Sequence, residues 1–165
     1  MAETVFIGIG GNIGHPEQTI IRAFGELKAF AVGKIFTSRI WRSEAFGLED
    51  KGHDFANAVA RFQCELEPGV LLQRLQMLEV KFGRPLDHAH HRSRTLDLDI
   101  IAFGQKILLD TFLQVPHQHA WERLFVLLPL QETDPEFRFA DRAETLQQLI
   151  DSAPSIKISL WHQDR

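Results

Sequence analysis

In Arg94-Thr-Leu-Asp97-Leu-Asp99-Ile100, two aspartates stand two residues apart. On an extended strand successive side chains alternate, so Asp97 and Asp99 share one face while Leu96, Leu98 and Ile100 take the other. Like charges on one face repel, and a hard divalent cation removes that cost. Mg2+ in particular is held by one or two carboxylates together with substrate phosphates. Arg94 adds positive charge at the entrance to the strand. The same pattern also fits a sheet edge with a solvated acidic face. The preceding segment, 84–94, sets Arg84, Arg92 and Arg94 with His88, His90 and His91 against a single acidic residue, Asp87. Guanidinium forks grip phosphate oxygens, so a basic segment beside an acidic pair suits a metal–polyphosphate site. A solvated basic loop has the same composition. No Cys or matched carboxylate stands at ligand spacing from the three histidines, which weighs against a histidine metal cluster.

The elements that must carry these residues follow from periodicity and punctuation. Residues 3–9 read as a strand ending at the turn signal Gly10-Gly11-Asn12. Pro16 opens a helix on Ile20, Phe24, Leu27 and Ala31, with Gly33 where a C-terminal cap belongs. Residues 34–41 and 55–65 read as strands, separated by a charged loop at 42–54. Pro68 starts a second helix on Leu71, Leu75, Leu78 and Phe82, which Gly83 ends. On its flank Leu72, Gln76 and Glu79 share one side, and by composition the polar pair there is expected to be solvated. After the 84–94 loop come a strand at 95–103, a short loop or edge strand near 105–109, an apolar segment at 118–131, a helix at 143–151 and a strand at 156–161. The order βαββαβ predicts an α+β, ferredoxin-like core: an antiparallel sheet with helices packed on it, plus extra C-terminal elements. No repeat or linker divides the chain, so one domain over residues 1–165 is expected. Two loops longer than ten residues are unusual in so small a unit and suggest binding loops or lids.

Composition removes several classes. A chain of 165 residues buries ~70% of its unfolded surface and needs no staple. Cys64 is the one cysteine, so no intrachain disulfide forms and a reducing compartment is the default. The longest apolar run, Leu124 to Leu130, is far short of a membrane span and contains Pro129. No basic leader precedes an apolar stretch, so a cytoplasmic protein without a secretory signal is expected. The net charge of −4 argues against a nucleic-acid coat, and an RNA-binding module of this fold would need a basic, aromatic sheet face. Gly8-Ile-Gly10-Gly11-Asn12-Ile13-Gly14 is out of register for a dinucleotide fingerprint, and no P-loop occurs.

The run Arg94 to Ile100 resembles the signature of the 6-hydroxymethyl-7,8-dihydropterin pyrophosphokinase family. Further motifs follow the family's order: Ile7-Gly-Ile-Gly-Gly-Asn12, Phe55-Ala-Asn57-Ala-Val, Glu79 with Gly83-Arg84, Val115-Pro116-His117, and Arg123-x-Phe125-Val with Pro129-Leu130. The resemblance implies transfer of the β,γ-pyrophosphoryl unit of ATP to the pterin hydroxymethyl group, with release of AMP. It implies that Asp97 and Asp99 hold two Mg2+ ions and that Arg84 and Arg94 contact phosphates during catalysis. Leu72, Gln76, Glu79, Ile100, His117 and Arg123 would line the ATP site. Ser43, Glu44, Phe46, Phe55, Asn57, Asp97 and Phe125 would surround the pterin, with Phe55 and Phe125 sandwiching its ring. The family usually carries Gly-Pro before the signature arginine and a second basic residue where this chain has Leu86. Arg92 is expected to replace that cation. A monomer with no nucleic-acid or membrane partner completes the expectation.

Overall fold

The chain runs through β1 (Glu3–Gly11), α1 (Pro16–Leu27), β2 (Val32–Thr37), β3 (Trp41–Ser43), β4 (Phe55–Cys64), α2 (Pro68–Lys81) and β5 (Asp97–Phe103). It continues through β6 (Leu108–Leu109), β7 (Gln114–Val115), α3 (Leu124–Thr133), α4 (Leu146–Ser152) and β8 (Ile158–Leu160). These elements come from a computed structural model that describes residues 1–44, 54–83 and 95–161. The main sheet is antiparallel in the order β5-β1-β4-β3-β8, with β2 also on β4, beside β3. This is the α+β architecture the element order predicts.

Strict alternation along the central strands builds two cores. Val5, Ile7 and Ile9 of β1, Ala56, Ala58, Ala60 and Phe62 of β4, and Leu96, Leu98 and Ile100 beside or within β5 all point to one face. There they meet Ile20, Ala23 and Leu27 of α1 and Leu71, Leu75 and Leu78 of α2. The opposite face carries Phe6, Val59, Ile101 and Ala102 under Leu127 and Leu130 of α3 and Leu146 and Leu149 of α4. Neighbours Ile101 and Ala102 share a face because the β1–β5 register shifts between Phe6 and Ile7, leaving one extra residue in β5. That bulge returns Phe103 to the α1/α2 core. At the rim of the second core, Glu132 of α3 accepts from Trp41 Nε1 at 2.7 Å and pairs with Arg39 Nε at 2.6 Å, tying α3 to β3.

Two local expectations are corrected, and one segment without an assigned element gains one. Gly33 does not cap α1. The helix ends at Leu27, a 3-10 turn follows over Lys28–Phe30, and Gly33 (φ 80°) sits inside β2 where pairing with β4 shifts register. Glycine suits that bulge because it adopts positive φ without a Cβ clash. The strand expected over 34–41 splits, because Ser38 leaves the ladder. Its Oγ accepts from Val59 N at 2.9 Å, and its own N–H donates to the Val59 carbonyl at 2.9 Å. The apolar segment at 118–131 is helical from Leu124 despite Pro129 inside the helix. Among the described residues no helix is long and apolar enough to cross a membrane.

Leu127 is fully buried between α3 and the sheet. Leu127→Ala is expected to cost about 2–5 kcal/mol, read as a lower urea midpoint, because the rigid sheet face cannot collapse into the cavity. An unchanged midpoint would show that α3 is loosely docked.

Candidate active site

The second face of the sheet is apolar at one end and polar at the other. Asp97 lies opposite Gly10, and Gly10 lies opposite Asn57; one step along, Asp99 lies opposite Gly8 and Gly8 opposite Val59. Cross-strand partners share a face, so Asp97, Asp99, Asn57 and Phe55 project from the same side, with glycine between the aspartates and β4. On that face α3 packs with Phe6, Val59 and Ile101, so the apolar cover reaches the Asp99–Gly8–Val59 row and the Asp97–Gly10–Asn57 row lies next to it. A Cβ placed on Gly10 would stand 3.5 Å from Asn57 Oδ1, so any larger side chain there would rise into the space between Asn57 and Asp97.

Asn57 is held firmly. Its Nδ2 donates to Ser43 Oγ at 2.8 Å, and the backbone carbonyls of Phe55 and Trp41 lie 3.4 and 3.5 Å away. Both Asn57 and Ser43 are buried. With Nδ2 engaged in the sheet, the amide offers Oδ1 as an acceptor over the glycine floor. Glu44 continues this edge in a different way: its Oε1 accepts from Lys157 N at 3.2 Å, extending the β3–β8 pairing. Phe55 and Phe125 are each half-buried, and among the described residues their rings make no contact with each other.

The loop leading into α3 closes the aspartate end. His117 N donates to the Ile101 carbonyl at 2.8 Å, anchoring the loop on β5. His117 Nδ1 accepts from the His119 N–H at 3.1 Å, so a neutral ring carries its proton on Nε2. Burial first, and then the positive charges of Arg123 and His119, push the His117 pKa down from 6.5 to about 4; Asp97 acts in the opposite sense. Arg123 begins α3, with its guanidinium 5.7 Å from the centre of the Phe125 ring. Arg123 and Asp97 thus both lie within electrostatic reach of His117.

Two expected residues take other positions. Glu79 is not solvated: it is 7% exposed, and its Oε2 accepts from the Leu98 backbone N–H at 2.8 Å. A carboxyl on a helix flank reads as surface until its partner, a strand amide, is known. Ile100 projects into the α1/α2 core, on the face opposite Asp97 and Asp99, so a ligand beside those aspartates meets its backbone and not its side chain. Leu72 is partly buried against the same core, and Gln76 is exposed on the side of α2 that Glu79 occupies. Arg84, Arg92, Arg94 and Phe46 lie outside the described residues. Among the described residues four buried polar ones, Asn12, Thr19, Ser38 and Thr133, were not site candidates by sequence; of these Asn12 stands directly after β1, the strand between Asp97 and Asn57. Its place in the Gly-Gly-Asn turn was the available signal.

Among the described residues no group of three or more His, Cys, Asp or Glu side chains gathers to hold a metal. Two carboxylates on one strand face form an oxygen-only, partial donor set. That fits Mg2+ arriving with phosphate ligands of its own.

The lowered pKa of His117 fixes the sign of a pH effect. The unfolded chain takes up this proton near pH 6.5 and the folded chain only near 4, so the neutral ring's contribution to stability is full above about 6.5 and is lost as pH falls toward 4. In urea titrations wild-type protein is expected to lose stability across that window more steeply than His117→Asn, whose amide oxygen can accept the same His119 N–H. Equal slopes would overturn the buried neutral ring.

Residues 6–135 match the family model described as 7,8-dihydro-6-hydroxymethylpterin-pyrophosphokinase. The chain is 34% identical over 155 residues to the 2-amino-4-hydroxy-6-hydroxymethyldihydropteridine pyrophosphokinase of Pseudomonas aeruginosa, covering 93% of this chain and 94% of that one. It is 40% identical over 128 residues to the enzyme of the same name from Campylobacter jejuni, covering 75% and 78%. Its fold matches a crystal structure of a Plasmodium falciparum HPPK-DHPS variant with a TM-score of 0.74 at 12% identity. That match covers 92% of this chain and 45% of the longer one. The protein is therefore a member of the 7,8-dihydro-6-hydroxymethylpterin-pyrophosphokinase family.

Proposed function

We propose that this chain, as one domain over residues 1–165, transfers the β,γ-pyrophosphoryl group of ATP to 6-hydroxymethyl-7,8-dihydropterin in folate biosynthesis. The hydroxymethyl oxygen bonds to the β-phosphorus, and the bond from that phosphorus to the α,β-bridging oxygen breaks. The pterin diphosphate forms, AMP departs, and the hydroxyl proton is released. The observation that carries this reading is the shared sheet face, with an acidic pair at one side, a fixed amide acceptor at the other and a glycine floor between.

On this reading Asn57 Oδ1 accepts from a ring or amino N–H of the pterin, while Phe55 and Phe125 take its two faces. Ser43 holds the Asn57 amide in place. Glu44 and Phe46 would also serve the pterin. Asp97 and Asp99 would hold the two Mg2+ ions expected with ATP, and such ions would neutralise charge on the phosphates. Neutral His117 donates from Nε2, and Arg123, Arg84, Arg92 and Arg94 supply positive charge to the phosphate oxygens. Leu72, Gln76 and the Ile100 backbone border the nucleotide. The transfer depends on in-line positioning and charge neutralisation more than on a strong protein base, and no dedicated base is assigned. A monomer acting in the cytoplasm, without nucleic-acid or membrane partners, belongs to the same proposal.

The test is to incubate the protein with ATP, Mg2+ and 6-hydroxymethyl-7,8-dihydropterin and separate the nucleotides. AMP that appears only with the pterin is expected; ADP, or AMP indifferent to the pterin, would overturn the proposal. Asp97→Asn should lower turnover by about 100-fold or more while leaving the melting temperature unchanged. Gly10→Leu fills the floor, and it should raise the pterin KM by about 10-fold or more with little effect on nucleotide binding. A Gly10→Leu enzyme with normal pterin KM would place the pterin elsewhere.

A further inference from the structure

Glu79 belongs to the α1/α2 layer, yet its side chain serves the strand that carries the acidic pair. Among the described residues β5 is the edge of the main sheet: β1 lies along its inner side, and no described strand follows on its outer side. Backbone N–H direction alternates along an antiparallel strand. Since the Leu98 N–H turns outward to Glu79, those of Asp97 and Asp99 turn inward, toward Gly10 and Gly8 of β1. An outward N–H at a buried edge needs an acceptor, because leaving it unpaired costs about 1–3 kcal/mol. The 2.8 Å bond from Leu98 N to Glu79 Oε2 supplies one where a neighbouring strand would otherwise stand.

The anchor for that acceptor is rigid. Leu71, Leu75, Leu78 and Phe82 bury α2 against the sheet, and Lys81 joins Glu26 of α1 at 2.7 Å. The Asp97–Leu98 peptide is therefore gripped between β1 and a fixed helix, and Leu98 is the one residue that separates the two aspartates. We propose that Glu79 is a positioning residue: by holding the Leu98 N–H it sets the direction and separation of the Asp97 and Asp99 carboxylates for the cations of the metal–nucleotide complex. The inference rests on the reading of those aspartates as metal ligands. It gives Glu79 a role distinct from lining the nucleotide, since the effect passes through the strand backbone and is present before any ligand binds.

Side-chain length and acceptor chemistry separate the possibilities. Glu79→Gln keeps an oxygen acceptor at the same reach but removes the charge. Glu79→Asp keeps the charge but withdraws the acceptor by one methylene. Two readouts are taken on wild type and both variants: Leu98 amide exchange in ligand-free protein, and Mn2+ binding in the presence of a non-hydrolysable ATP analogue, followed by loss of the free Mn2+ resonance signal. Glu79→Asp is expected to speed Leu98 exchange and weaken Mn2+ binding about 10- to 100-fold, whereas Glu79→Gln stays within about threefold of wild type. Mn2+ affinity in Glu79→Asp equal to wild type would overturn the inference, as would Glu79→Gln binding no better than Glu79→Asp. Unchanged Leu98 exchange alongside weakened Mn2+ binding would also overturn it, in favour of direct ligand contact. Wild-type protein that bound no Mn2+ with the analogue would overturn the ligand assignment of Asp97 and Asp99, and this inference with it.

Discussion

β1 hydrogen-bonds to β5 on one side and to β4 on the other, and the register of those two ladders governs the candidate site. With Gly10 between Asp97 and Asn57, acidic and amide side chains from distant parts of the sequence emerge on one face. The alternate residues Val5, Ile7 and Ile9 secure that register by burying the other face under α1 and α2. Slipping one ladder by a single residue would exchange the faces, sending valine and isoleucine to solvent and glycine to the core. Burial of apolar surface thus protects an arrangement of polar groups that contributes little to stability itself.

The two faces divide this labour unequally. The α1/α2 face is apolar along the whole length of the central strands. On the other, α3 and α4 pack over Phe6, Val59 and Ile101, while the neighbouring row carries Asp97, Gly10 and Asn57. Glu132 near the end of α3 holds Trp41 and Arg39, and the opposite end of the same helix is capped by Arg123 and carries Phe125. One docking interaction thus sets both the roof of the second core and the wall of the site. Polar groups left on an uncovered sheet face are a cost in stability that functional surfaces commonly carry.

Much of this was legible in the chain. Leu-Asp-Leu-Asp-Ile shows the facing of Asp97 and Asp99 because strand periodicity is local, and Pro68 with Gly83 brackets α2 for the same reason. What escaped depends on contacts between segments. Glu79 beside Gln76 has the composition of a solvated flank, yet it is buried and accepts from the outward Leu98 N–H, nineteen residues away. The bulge that turns Ile101 and Ala102 to one face arises from the β1 register and leaves no mark in an all-apolar run. Gly33 and Ser38 look like helix cap and strand interior, yet one marks a bulge and the other a break, because β4 determines where β2 can pair.

The Asp97–Gly10–Asn57 row also acts as a ruler. It runs across the strands, so its length is counted in hydrogen-bonded neighbours and not in residues. Two inter-strand steps of about 4.8 Å place the acidic and amide ends roughly 10 Å apart. Backbone hydrogen bonds are nearly inextensible, so side-chain substitutions elsewhere in the protein hardly alter this span. Whatever bridges the two ends must match a dimension written in the main chain, which evolution can retune only by changing strand pairing.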